Sequence, residues 1–207
     1  MNLANKLTFS RVLVIPFFVS FLLAGNITNN LAIVTTCHWL ALVTFVGATI
    51  TDYYDGVIAR RTNTSTAFGE LFDPLADKLL TMAAFVSFVE LRVPSDRPIF
   101  PAWAIIIILG REFLVTGLRS VATMRGRVIK ADRWGKHKTG WQLGTIIGIL
   151  VFLCIRDTMM WTGMSVEGFD RVLPYIFRGA LSIVVALTVI SGAVYLRNNW
   201  DVIRDDD

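Results

Sequence analysis

Four aspartates, Asp52, Asp55, Asp73 and Asp77, sit between long apolar runs of this chain. Carboxylates at membrane depth are costly and are retained where they have a task. Asp52 and Asp55 are three residues apart and Asp73 and Asp77 four, so on helices each pair shares a face. Two carboxylate pairs on two helices suit two divalent cations. Hard oxygen ligands select Mg²⁺ or Mn²⁺, ions that can hold phosphate oxygens at the same time. Phosphoryl chemistry is the reaction class this suggests. Gly56 and Ala59 follow the first pair and Gly69 precedes the second, leaving positions with almost no side chain where a flat or bulky group can approach the backbone. Arg60 adds a cation whose planar fork suits a diphosphate. Taken singly, acidic residues near helix ends are usually solvated and small residues in membrane helices usually serve packing. Eight identities at fixed spacing are another matter, and chance does not readily assemble them.

A second constellation lies further along. GREFLVTGLRS places Arg111, Glu112 and Arg119 in an otherwise apolar helix, and WGKHKTGWQ sets Lys136 and Lys138 around His137 just after a basic loop. An anionic acceptor would be drawn to such a pocket. The structural alternative is that Arg111 and Glu112 pair with other helices, that Lys136 and Lys138 reach to the interface, and that His137 is exposed.

The set Asp52, Asp55, Gly56, Ala59, Arg60, Gly69, Asp73 and Asp77 resembles the signature of the CDP-alcohol phosphotransferases. That resemblance implies a membrane-embedded enzyme in which the four aspartates hold two Mg²⁺ or Mn²⁺ ions and Asp77 is the candidate general base. It also implies a CDP-linked donor whose cytidine diphosphate rests against Gly56, Ala59, Arg60 and Gly69. Asn5 to Arg11, and REFLVTGLR followed by a G-K-x-K-T segment, look like the branch of that family whose acceptor is sn-glycerol 3-phosphate. On this resemblance Thr8 and Arg11 join the CDP-diacylglycerol site, while Arg111, Arg119, Lys136 and Lys138 bind the acceptor phosphate. The reaction implied is phosphatidyl transfer to glycerol 3-phosphate, giving phosphatidylglycerophosphate and CMP. Ala4 stands where that branch usually carries Pro, so the start of the first helix differs, and the resemblance is weak after Leu150. A homodimer among membrane lipids is the family expectation, in a bacterial cytoplasmic (inner) membrane with the active site facing the cytoplasm. Competing readings are a cardiolipin synthase or phosphatidylinositol-phosphate synthase of the same fold. From another class, a cation transporter could use the aspartates as an ion path, although paired halves with broken helices are not evident.

The elements that position these residues must live in lipid. Of 207 residues 54% are hydrophobic and 17% charged, and the mean hydropathy is +0.58, against about 25% charged residues in soluble domains. The reading is one all-α integral membrane domain, residues 1–207. Six apolar stretches, Leu13–Leu23, Leu31–Ile50, Leu79–Val89, Ile99–Leu118, Trp141–Ile155 and Ala180–Leu196, predict six transmembrane helices. Several fall short of the roughly 20 apolar residues a span needs, so their helices must run on into polar flanks carrying Asp73, Asp77, Lys136 and Lys138. With both termini on one side, that side collects most of the twenty Lys and Arg residues, against Arg92, Arg97, Arg156, Arg171 and Arg178 on the other. The positive-inside rule then makes both termini and the aspartates cytoplasmic. Topology and anionic headgroups account for the pI of about 9.3, and no nucleic-acid partner is expected. Cys37 and Cys154 are lone residues in apolar runs and predict no disulfide. The first apolar run is expected to persist as a span, GNITNN being a poor cleavage context. Arg92–Pro98 and Arg156–Arg171 read as outer loops, and Asp201–Asp207 as a frayed tail.

Overall fold

The computed structural model describes the backbone of residues 3–62, 67–93, 98–124 and 133–200, and their side chains apart from 3–11, 52–77, 124, 133–134 and 136. Six helices make up most of it: α1 (Leu3–Leu22), α2 (Leu31–Thr62), α3 (Ala67–Glu90), α4 (Ala102–Met124), α5 (Arg133–Trp161) and α6 (Glu167–Asn198). A 3₁₀ turn, Ala24–Asn26, follows α1, and there is no strand among the described residues. Each apolar stretch maps onto one helix, and α3 and α5 do begin in the polar flanks, upstream of Asp73 and Lys136. The tail from Asp201 and the loop segments 94–97 and 125–132 lie outside the described residues.

One expectation is corrected. Arg156–Arg171 is not an outer loop, because α5 continues to Trp161 and α6 begins at Glu167. Polar side chains in this stretch are used inside the fold. His38 of α2 pairs through Nδ1 with the buried Asp157 carboxylate, and its Nε2 lies 3.1 Å from the Leu22 carbonyl at the end of α1. Arg156 then grips Asp170 of α6 with two N–H donors, at 2.6 and 2.9 Å, the bidentate geometry that makes such pairs strong. Four helices are thus tied at one end of the bundle. Breaking a buried pair of this kind by removing one partner costs about 3–5 kcal/mol. The short turn that remains has a local cause: Gly163 adopts φ +77° and its N–H reaches the Met160 carbonyl at 3.1 Å, a helix C-terminus closed by a left-handed glycine. Asn30 starts α2 in the complementary way, its Oδ1 accepting from the N–H groups of Ala32 and Ile33 at 3.1 and 3.4 Å.

Around the bundle the helices neighbour one another in the order α1, α2, α5, α6, α4, α3 and back to α1, with α3 also reaching α5 across the middle. Phe18 and Phe45 meet at 5.5 Å between α1 and α2, and Phe88 meets Phe100 edge-on at 5.6 Å where α3 leads into α4. Ile146, Leu150 and Leu153 of α5 complete the core with Phe177, Leu181 and Val184 of α6.

The outer surface is apolar on every helix: Phe17, Val43, Val86, Ile106, Trp141 and Val189 are all exposed. Charged and polar groups, among them His38, Glu112, Lys138, Gln142 and Asp157, are buried instead. A water-soluble bundle reverses this arrangement, and contiguous exposed apolar surface on this scale marks contact with a membrane. Three described stretches, Leu31–Thr51, His137–Trp161 and Glu167–Asn198, are long and apolar enough to cross one, and Val12–Leu22 is a shorter apolar helix. The chain is an all-helical membrane protein.

Candidate active site

Polar contacts fix the direction of each helix. His38 of α2, Leu22 of α1 and Asp157 of α5 meet at one end of the bundle. Lys138, near the other end of α5, meets Glu112 and Lys78 at the middle of α4 and α3. α4 runs alongside α6, with Arg119 over Tyr195, and α3 runs against α4, with Phe88 on Phe100. The C-terminal part of α2 and the N-terminal part of α3 therefore lie at the same end as Lys138. Asp52 is ten residues before the end of α2 and Asp77 ten residues after the start of α3. At 1.5 Å per residue, both are about 15 Å along their helices from the segment that joins them. The two carboxylate pairs thus lie on the halves of α2 and α3 that adjoin the segment joining them. The side chains of Asp52, Asp55, Arg60, Asp73 and Asp77 lie outside the described residues, as do those of Thr8, Arg11, Ala59 and Lys136; Gly56 and Gly69 fall in the same undescribed part of the site. All-oxygen donors on two helices match the preference of Mg²⁺ and Mn²⁺.

Immediately next to Asp77 in α3, Lys78 begins a buried ionic cluster. Glu112, 7% exposed, accepts from Lys78 Nζ at 2.9 Å through Oε2, while its Oε1 pairs with Lys138 Nζ and lies 3.7 Å from an Arg111 nitrogen. Lys138 is only 1% exposed. Lys78 also donates to the Thr116 hydroxyl at 3.2 Å, one turn beyond Glu112 on α4. On α5 the same face continues with Gln142 and Thr145, both buried. Basic side chains from three helices, α3, α4 and α5, thus gather at one carboxylate.

Sequence spacing anticipates part of this cluster. Arg111 and Lys138 do come together, and the structural alternative also holds in part, since Glu112 pairs with other helices. His137 is exposed, and Arg119 stands apart from Glu112, 5.8 Å above the Tyr195 ring of α6. Lys78, Thr116, Gly192 and Tyr195 were not legible as members. Lys78 had a usable signal, being the only cation beside an aspartate of the signature within α3. Gly192 had none. A Cβ added there would lie 3.1 Å from Arg111 Cγ, so its lack of a side chain is what lets the Arg111 stem cross between α4 and α6.

Comparison with known proteins places the chain in a family. Residues 1–168 match the family described as CDP-alcohol phosphatidyltransferase. A Bacillus subtilis (strain 168) protein named CDP-diacylglycerol–glycerol-3-phosphate 3-phosphatidyltransferase is 34% identical over 207 residues, covering 98% of this chain and 97% of its own length. A Rickettsia felis protein of the same name is 39% identical over 169 residues, with 77% of this chain and 86% of its own covered. A Mycobacterium tuberculosis protein named probable phosphatidylglycerophosphate synthase is 39% identical over 150 residues, covering 72% of this chain and 66% of its own.

Proposed function

Because this chain belongs to the CDP-alcohol phosphatidyltransferase family, we propose that it transfers the phosphatidyl group of CDP-diacylglycerol to sn-glycerol 3-phosphate. The products are phosphatidylglycerophosphate and CMP, and the setting is phospholipid biosynthesis. The observation that carries the choice of acceptor is the 34% identity, over 98% of this chain, to a protein named for transfer to glycerol 3-phosphate. Lys78, Arg111 and Lys138, gathered at Glu112, supply donors of the kind a phosphate monoester needs.

Cytidine diphosphate rests against Gly56, Ala59, Arg60 and Gly69, with Thr8 and Arg11 of α1 completing the donor site and the acyl chains leaving sideways into lipid. Asp52, Asp55, Asp73 and Asp77 hold two divalent cations, Mg²⁺ or Mn²⁺, which when bound screen the diphosphate and stabilise the charge developing on it. Arg111, Arg119, Lys136 and Lys138 hold the acceptor phosphate. That grip presents the 1-hydroxyl of glycerol 3-phosphate to the phosphorus bearing the diacylglycerol. Asp77 takes the hydroxyl proton as the new oxygen–phosphorus bond forms, and the bond from that phosphorus to the oxygen leading to CMP breaks. Direct in-line displacement suffices, because the signature offers no Ser, Cys or His nucleophile.

All 207 residues form one domain with six transmembrane helices. Exposed Val86 on α3 and Ile106 and Phe113 on α4 support spans for the two helices whose described stretches are less uniformly apolar. An even number of spans puts both termini on one side, and the Lys and Arg balance makes that side cytoplasmic, with the active site facing it across a bacterial inner membrane. The working unit is a homodimer among membrane lipids.

The test is an assay of the purified protein in detergent with CDP-diacylglycerol and Mg²⁺. Glycerol 3-phosphate, inositol phosphate and phosphatidylglycerol serve as parallel acceptors, and CMP release and lipid product are followed together. Phosphatidylglycerophosphate should form with glycerol 3-phosphate alone, and Asp77→Asn should abolish it. Turnover with either other acceptor, or a largely active Asp77→Asn protein, sinks the corresponding assignment.

A further inference from the structure

Buried hydroxyls on α6 find partners in their own helix: Thr188 Oγ1 donates to the Val184 carbonyl at 2.7 Å and Ser191 Oγ to the Thr188 carbonyl at 3.1 Å. Tyr195 is the exception. It is 2% exposed, and its phenol oxygen, itself buried, has no hydrogen-bond partner among the described residues. Native folds satisfy nearly all buried polar groups, so an orphaned one calls for a missing water or ligand. Its neighbours indicate which. Gly192, three residues earlier and so on the same face of α6, lies against the stem of Arg111. The guanidinium of Arg119 stands 5.8 Å above the Tyr195 ring. Tyr195 therefore sits beside two of the cations assigned to the acceptor phosphate.

We infer that the Tyr195 hydroxyl is a further acceptor-binding group, donating a hydrogen bond to a phosphate oxygen of the phosphomonoester held by Arg111 and Arg119. The inference rests on the phosphatidyltransferase reading above and deepens it. A phenol suits this task where another cation would not. It adds a donor without adding another charge beside Arg111 and Arg119, and its ring gives Arg119 a face to rest on. Three elements then share the acceptor phosphate: α4 and α5 through their cations, and α6 through one neutral donor.

Tyr195→Phe is the test, since it removes the hydroxyl and keeps the ring under Arg119. Wild-type protein is assayed first, with glycerol 3-phosphate as acceptor; no transfer there refutes the phosphatidyltransferase reading itself, whatever the variant does. With wild-type turnover in hand, the variant should raise KM for glycerol 3-phosphate by about 10-fold or more, as losing a hydrogen bond to a charged group does. The KM for CDP-diacylglycerol, kcat at saturation and the thermal transition should stay within about twofold or a few degrees of wild type. A hydroxyl bound only to a buried water leaves the acceptor KM unchanged, and that result overturns the inference. So does a loss confined to kcat, or an equal rise in both KM values.

Discussion

At the scale of single residues, Glu112 is the group on which the cationic site depends. It pairs with Lys78 of α3 and Lys138 of α5 and so sets where their ammonium groups stand. Glu112→Gln should lower the thermal transition strongly, because losing one partner of a buried ion pair costs about 3–5 kcal/mol. The double variant Glu112→Gln with Lys138→Met should recover most of that loss, since a buried pair replaced by groups of similar volume is often neutral. Acceptor turnover should stay low in both, because the first misplaces Lys138 and the second deletes it. Scanning fluorimetry beside initial rates separates the two effects, and an unperturbed transition in the single variant would show that Glu112 does not bear the charge of the cluster.

Elements enter through the close approach of α4 and α6. Arg111 reaches its position only because Gly192 leaves room for its stem, the distance to an added Cβ being 3.1 Å. Forcing a methyl into such a contact typically costs about 1–3 kcal/mol, through shifted side chains or helix separation. Gly192→Ala should therefore lower stability by that order and raise KM for glycerol 3-phosphate, leaving KM for the lipid donor near wild type. Gly179→Ala on the same helix is the control, as nothing lies within 4 Å of the added Cβ there, and it should be close to silent. Equal behaviour of the two variants would remove Gly192 from the account of Arg111. At the far end of the same helices the His38–Asp157 and Arg156–Asp170 pairs do the opposite work, drawing α1, α2, α5 and α6 together with side chains rather than by omitting one.

The whole molecule is a bundle turned inside out for lipid, with apolar side chains outward and two polar layers within. One layer holds His38, Asp157, Arg156 and Asp170, and the other Glu112 with Lys78, Arg111 and Lys138. If the four aspartates hold two cations that in turn hold the diphosphate, donor and metal must bind together. CDP should then raise the thermal transition only in the presence of Mg²⁺ or Mn²⁺, by about 2.7 kcal/mol at a hundredfold excess over its Kd. Equal protection by CDP in a chelator would refute the shared site. Protection by the metal with no response to CDP would instead favour an ion pathway.

Sequence by itself determined the class of chemistry and the medium. Four aspartates at helical spacing with small residues and Arg60 beside them, in a chain this apolar, leave few alternatives, because both signals are local: one is a periodicity and the other a composition. Helix number and most helix positions were legible for the same reason. The segment Arg156–Arg171 was misread because its polarity looked like exposure to water. Whether a charge is solvated or buried depends on a partner more than a hundred residues away, as His38 is from Asp157. The same limit hid Tyr195 and Gly192. A tyrosine near a helix end in a membrane protein ordinarily marks the interface, and a glycine ordinarily marks packing. Only the tertiary structure, by setting α6 against Arg111 and Arg119 of α4, turned one into an unsatisfied donor and the other into a passage for a side chain.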